Sequence, residues 1–234
     1  ITMPAGNAVV NPHIFAKLAY DPFRDFAPVV LLGRVENVLV VHPDFPANNV
    51  RELIAYAKAN PEKLSYSTPG IGTFGHVAAE QLKFMAGINA THVAYKGTAP
   101  AMNDVMGGVV SMSFAQTSTA IPQIRGKKLK ALGLASPQRS AALPDLPTVA
   151  EQGLAGFEAV SWYALMAPAG TPTEIIAKLS TEVNRILQLP DVRDRLTGLG
   201  ATPAGGTPEA LAAMIRAESA RLAPIIKAAK ILAE

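Results

Sequence analysis

The stretch STPGIGTFGH, residues 67–76, concentrates the groups of this chain that could do chemistry. Three hydroxyls (Ser67, Thr68, Thr73), three glycines and His76 surround what reads as the start of a helix. Gly70, Gly72 and Gly75 reproduce the G-x-G-x-x-G spacing of a dinucleotide-binding turn. That fingerprint calls for an acidic residue about 20 positions on, to hold a ribose hydroxyl. Ala86 through Met102 contains none. The underlying physics does not need a nucleotide. A helix N-terminus exposes unpaired N–H groups and the positive end of the helix dipole. Glycines let an anion approach the backbone, so a carboxylate or phosphate fits. The same glycines suit a turn that only packs a helix on its strand, and the residues alone leave both readings open.

Little else in the chain points to catalysis. Neither G-x-S-x-G nor H-E-x-x-H occurs, and His13, His42, His76 and His92 have no metal-ligand spacing. His42 and His92 lie beside or within strand runs and read as core or edge residues. Asp21, Asp25, Asp44 and Asp145 sit in turns or beside prolines, where Asp bonds its own backbone. The expectation is a protein that is not an enzyme, with no metal and no cofactor. There is no cysteine, which excludes thiolate catalysis and disulfides and fits either cytoplasm or periplasm. The net charge of +3 is too small to argue for nucleic acid. The densest basic run, Arg125 to Lys130, reads as a solvated turn before a strand. No apolar run approaches the roughly 18 residues of a membrane span. The chain opens on Ile1, so something upstream is expected to have been removed: a signal peptide, a tag or a piece of the fold.

The elements that must position the glycine loop alternate. Strands are expected at Val38–Val41, Leu64–Ser67, Thr91–Tyr95, Val109–Phe114, Leu129–Leu134 and Trp162–Ala167. Helices are expected at Val50–Ala59, His76–Met85, Pro100–Met106, Thr119–Ile124, Val149–Gln152, Thr173–Leu187, Asp191–Leu199 and Pro208–Ala229. The stretch Pro46-Ala-Asn48-Asn49 offers a cap for the first of these helices, and Gly87 a stop for the second. This alternation argues for an α/β protein with mostly parallel sheets and helices on both faces. The middle segment reads as a lobe inserted into another, with small molecules commonly bound in the cleft between such lobes.

Three stretches carry a family resemblance. They are LSYSTPGIGTFGHVAAEQLKFMAGINATHVAYKGTAPAMNDVMGGVVSMSF, NPHIFAKLAYDPFRDFAPVVLLGRVENVLVVHP and LKALGLASPQRSAALPDLPTVAEQGLAGFEAVSWYALMAPAGTP. Together they resemble the substrate-binding proteins of tripartite tricarboxylate transporters, also called Bug proteins, over nearly the whole chain. The resemblance implies a two-lobe fold of the type II periplasmic-binding-protein kind, with a hinge of two crossing strands and a ligand cleft between the lobes. Residues 1–38 would begin lobe one, 39–160 form lobe two, and 161–234 complete lobe one. It implies periplasmic capture of a small organic acid, a di- or tricarboxylate or related carboxylate, and delivery to membrane subunits of the transporter. No nucleic-acid partner and no direct membrane insertion are implied.

Position by position, the resemblance assigns the carboxylate-binding loop to Ser67, Thr68, Gly70, Gly72 and Thr73. His76 matches the family histidine in the first turn of the following helix. Tyr95 and Gly97 match a loop beside the ligand, and Asn7 a first-lobe loop. Asp104 reads as structural. Ala115-Gln116 stands where many members carry an acidic residue, which disfavours an amino-acid ligand. Typical members are longer, and the resemblance implies that part of lobe one would lie before Ile1. The alternative to a transport receptor is therefore a shortened scaffold that acts through self-association or protein contact.

Overall fold

The computed structural model describes residues 1–232. In chain order the elements are β1 (Thr2–Pro4), a π-helical turn (Gly6–Val10), α1 (Asn11–Ile14), β2 (Phe26–Val35), β3 (Asn37–Val41), α2 (Val50–Ala59) and β4 (Ser65–Thr68). Next come α3 (Phe74–Ala86), β5 (Thr91–Ala94), α4 (Thr98–Met106), β6 (Met112–Gln116), α5 (Thr117–Arg125) and β7 (Lys130–Leu134). The chain ends with β8 (Ser161–Pro168), α6 (Thr173–Leu187), α7 (Pro190–Gly198), β9 (Ala201–Pro203) and α8 (Pro208–Ala228). They form two units: residues 1–35 with 161–234, and residues 36–160.

The discontinuous unit is built on one four-stranded sheet in the order β1-β8-β2-β9, and every pairing in it is antiparallel. The expected parallel arrangement does not hold here. β2 and β8 run against each other for most of their length, with register shifts at Pro28/Val30 and Leu31/Gly33. Proline 28 lacks an N–H, so a bulge there spares the ladder a missing donor. Ile176 and Val183 of α6 pack on Val29, Val30 and Ala167. Trp162 is fully buried, and its indole N–H donates to Glu218 of α8.

The continuous unit carries a five-stranded sheet in the order β5-β4-β6-β3-β7. β4 pairs in parallel with β5 and with β6, whereas β3 is antiparallel to both β6 and β7. All five residues of β3 are buried, as expected of a strand covered on both faces. Leu39 and Val41 face one core with Leu53, Tyr66, Leu82 and Phe114. Val38 and Val40 face another with Met102, Val105, Ala115 and Leu134. Helices therefore cover both faces, and the class is α/β with mixed sheets.

Local signals account for most of the helix ends. Asn49 caps α2: its side chain accepts from the Glu52 N–H, while Glu52 reaches back to accept from Asn48 N–H at 2.7 Å. This reciprocal box satisfies two otherwise orphaned donors. Asn49→Ala is expected to cost about 1 kcal/mol, read as a lower urea midpoint with an unchanged slope. Gly87 closes α3 at φ +61, a conformation that favours glycine. The helix expected at Val149–Gln152 is a turn instead. Its residues close over β7, with Leu134 N–H donating to Pro147 O and Val149 N–H to Leu134 O. The buried Gln152 amide pins this turn, donating to Leu132 O and accepting from Val50 N–H.

Candidate functional site

Three neighbouring parallel strands, β5, β4 and β6, each run directly into a helix. Parallel strands end at the same edge of a sheet, so the N-termini of α4, α3 and α5 lie together along that edge. Cross-contacts fix the arrangement. Gly97 N–H donates to Pro69 O, joining the loops after β5 and β4. The Ser67 hydroxyl donates to Ala101 O of α4. A Cβ on Gly75 would lie 2.9 Å from Phe114 O of β6, so the first turn of α3 packs on the β6 backbone and requires glycine there.

Among the helices longer than the four-residue α1, which also starts without an acid, the charge pattern sets these three ends apart. α3, α4 and α5 have no acidic residue in the first turn. α2, α6, α7 and α8 each have one: Glu52, Glu174, Asp191 and Glu209. An acidic first turn neutralises the positive helix end. Its absence at three adjacent ends leaves an uncompensated positive edge suited to an anion.

The expected site residues divide into those that build the loop and those left open. Ser67 is buried, its hydroxyl occupied by Ala101 O. Thr68 is buried, with Oγ1 at 2.7 Å from His92 Nε2 and near both Gly70 N and Gly70 O. The Thr73 hydroxyl donates to Gly70 O at 2.8 Å. Gly72 N–H donates to His76 Nδ1. The Tyr95 hydroxyl donates to Asp104, which matches the structural role expected of Asp104. The resemblance places these hydroxyls beside a ligand; in the structure they bond within the loops, and buried Ser67 and Thr68 must find such partners. Gly70, Gly72 and Gly97 adopt φ of +154, +75 and +121, which explains the glycines at these places. Asn7 is exposed on the π-helical turn of the other unit, where its carbonyl accepts from the Tyr20 hydroxyl.

What remains open is backbone. At the start of α3 the N–H groups of His76 and Val77 return to Thr73 O. Those of Phe74 and Gly75 meet no acceptor among the described residues. Thr98 and Ala99 begin α4 after Gly97, and Pro100 has no N–H to satisfy. At α5, Thr117 is tied to Glu36 O and Ser118 follows it, half-exposed. Sequence reading missed the ends of α4 and α5, although the acid-free first turns after three successive strands were legible.

Behind the loop lies a buried polar stack. Tyr66, His92 and His76 are layered, with ring centroids 4.8 Å and then 3.9 Å apart. The Tyr66 hydroxyl donates to buried Glu80, which also pairs with Lys83 at 2.7 Å. Burial, followed by that hydrogen bond, pushes the Tyr66 phenol far up. Burial pulls the His76 imidazole down to about 3, with the neighbouring His92 and Lys83 adding to it. Burial lowers His92 as well. Tyr66→Phe is expected to cost about 2 kcal/mol, because Glu80 keeps its burial and loses a donor; thermal unfolding reads this directly. No group of three metal-binding side chains occurs among the described residues.

This fold is that of a family of solute-binding receptors. Residues 1–231 match the model of the tripartite tricarboxylate transporter family receptor, and the chain belongs to that family. It is 37% identical over 219 residues to the UPF0065 protein in the tcbD-tcbE intergenic region of Pseudomonas sp. strain P51, covering 93% of this chain and 65% of the relative. Protein BugT of Bordetella pertussis is 33% identical, over 93% of this chain and 67% of its own length. The chain thus spans about two thirds of the length of these curated relatives. Among solved structures, R. palustris Rpa4515 with adipate superposes with a TM-score of 0.87 at 35% identity, covering 99% of this chain and 78% of that one. MatC from Rhodopseudomonas palustris with bound malate gives 0.82 at 34% identity, covering 97% and 78%.

Proposed function

We propose that this protein captures a small organic carboxylate in the periplasm, as the receptor of a tripartite tricarboxylate-type transport system. The observation that carries the reading is the edge at which three acid-free helix N-termini meet. One carboxylate of the ligand would rest on the Phe74 and Gly75 N–H groups, within the turn shaped by Ser67, Thr68, Gly70, Gly72 and Thr73. Two related structures hold adipate and malate, both dicarboxylates, which supports this ligand class. Delivery to membrane subunits is proposed from family membership alone.

The test is a thermal-shift screen against mono-, di- and tricarboxylates, acidic amino acids and nicotinate. A ligand that binds only the native state raises the melting temperature with its concentration. A dose-dependent rise with at least one non-amino acid is the expected result. A flat response from a chain that melts cooperatively would refute carboxylate capture by this chain. A stable oligomer, indifferent to every acid, would instead favour the scaffold role.

A further inference from the structure

The glycine loop is suspended from two imidazoles. Gly72 N–H donates to His76 Nδ1 at 3.2 Å, and Thr68 Oγ1 lies 2.7 Å from His92 Nε2. The Thr68 hydroxyl in turn sits 3.3 Å from Gly70 N and 3.2 Å from Gly70 O. The two rings stack on each other at 3.9 Å, and His92 stacks on Tyr66. Each end of the turn before α3 is therefore fixed by one ring nitrogen, and each ring is fixed by the other. Gly72, at φ +75, directs its N–H inward to the ring.

We propose that the stacked His76–His92 pair is the latch that holds the carboxylate-binding loop in shape, with His76 as its main positioning residue, and that His76 must be neutral to do so. The inference rests on the carboxylate reading above. His76 Nδ1 must offer a lone pair to Gly72 N–H. Protonation there sets two donors face to face and opens the contact. The charged groups around His76 do not offset this. On α3, Glu80 and Lys83 neutralise each other in a close ion pair. β4 contributes the neutral Tyr66, β5 contributes only His92, and β6 has no titratable side chain. With the loop held, the Phe74 and Gly75 N–H groups stay presented without rearrangement, and preorganised donors bind an anion at lower cost.

The experiment compares wild type, His76→Asn and His76→Leu at neutral pH. Asparagine Oδ1 can accept where Nδ1 did, whereas leucine keeps volume without an acceptor. Backbone hydrogen exchange across residues 70–75 is followed first, without ligand. Affinity is then titrated with whichever acid of the thermal-shift panel, adipate and malate included, stabilises the wild type most. In His76→Leu, loop exchange is expected to rise at least about tenfold while β4 and β6 stay protected. Affinity should fall at least about tenfold, and His76→Asn should restore both. His92→Phe, which keeps the stack and loses the Thr68 contact, should show the same direction and serves if His76→Leu does not fold. Unchanged loop exchange would overturn the latch. A loosened loop with unchanged affinity would overturn its role in binding and leave carboxylate capture standing. A wild type that binds no acid of that panel would overturn both.

Discussion

Gly75→Val is expected to abolish measurable carboxylate binding, with a loss of about 100-fold or more, roughly the worth of two charge-assisted hydrogen bonds. The reason is geometric. A Cβ at position 75 would stand 2.9 Å from Phe114 O, a backbone atom in the buried strand β6 that has no rotamer to change. The first turn of α3 would have to lift from the sheet, carrying the Phe74 and Gly75 donors away from their places. Overpacking of this kind also costs about 1–3 kcal/mol of stability, so a control is needed. Gly133→Ala provides it: its Cβ would meet Gln152 Nε2 at 2.8 Å and Val50 Cγ2 at 2.9 Å, in the same unit but away from the loop. Calorimetric titration of both variants in the cold should find weak binding only for Gly75→Val. Equal binding by the two variants would remove α3 from the site.

The second large effect is on stability against pH. His76 is buried neutral, with its folded value near 3 against an ordinary 6.5. Between those values the unfolded chain binds more protons at this position than the folded one. Stability therefore falls as pH drops below about 6.5, and the position contributes no slope above it. By about pH 5 the loss from His76 alone reaches about 2 kcal/mol, and the lowered His92 adds in the same direction. The carboxylates of Asp25, Glu151 and Glu209 are held below their usual range, so they weaken the fold only on further acidification, below about pH 5. The window from about pH 5 to 6.5 thus isolates the histidine pair. A melting-temperature series should slope there in wild type and be markedly flatter in His76→Asn. A wild-type profile already flat in that window would contradict the neutral buried pair.

Much of the fold can be read from local order alone. α2 and α6 lie over Val50–Ala59 and Thr173–Leu187, the ranges that cap residues and apolar spacing indicate. The ends of α3 and α4 fall within two residues of the sequence reading, because Gly87 and Gly107 stop them. The long strand β2 was not legible. Phe26–Val35 is a continuous apolar run broken by proline and glycine, and its identity as a strand comes from pairing with β8 and β9, far away in sequence. β9, in the glycine-rich stretch between α7 and α8, is illegible for the same reason. Val149–Gln152 has helical spacing, but its backbone groups are claimed by β7.

The sequence by itself determined that the chain is α/β, that a glycine turn precedes a helix at residues 67–76, and to which family the chain is similar, because capping, periodicity and motif spacing are local properties. Only the tertiary structure decided strand direction, since parallel and antiparallel pairing bury the same side chains and differ in which distant backbones meet. It also decided the division of labour at the loop. The hydroxyls and His76 look like ligand donors in one dimension. Folding buries Ser67, Thr68 and His76, half-buries Thr73 and bonds each of them within the loop, which leaves backbone at the helix ends, that of Phe74 and Gly75 foremost, as the surface proposed for an anion.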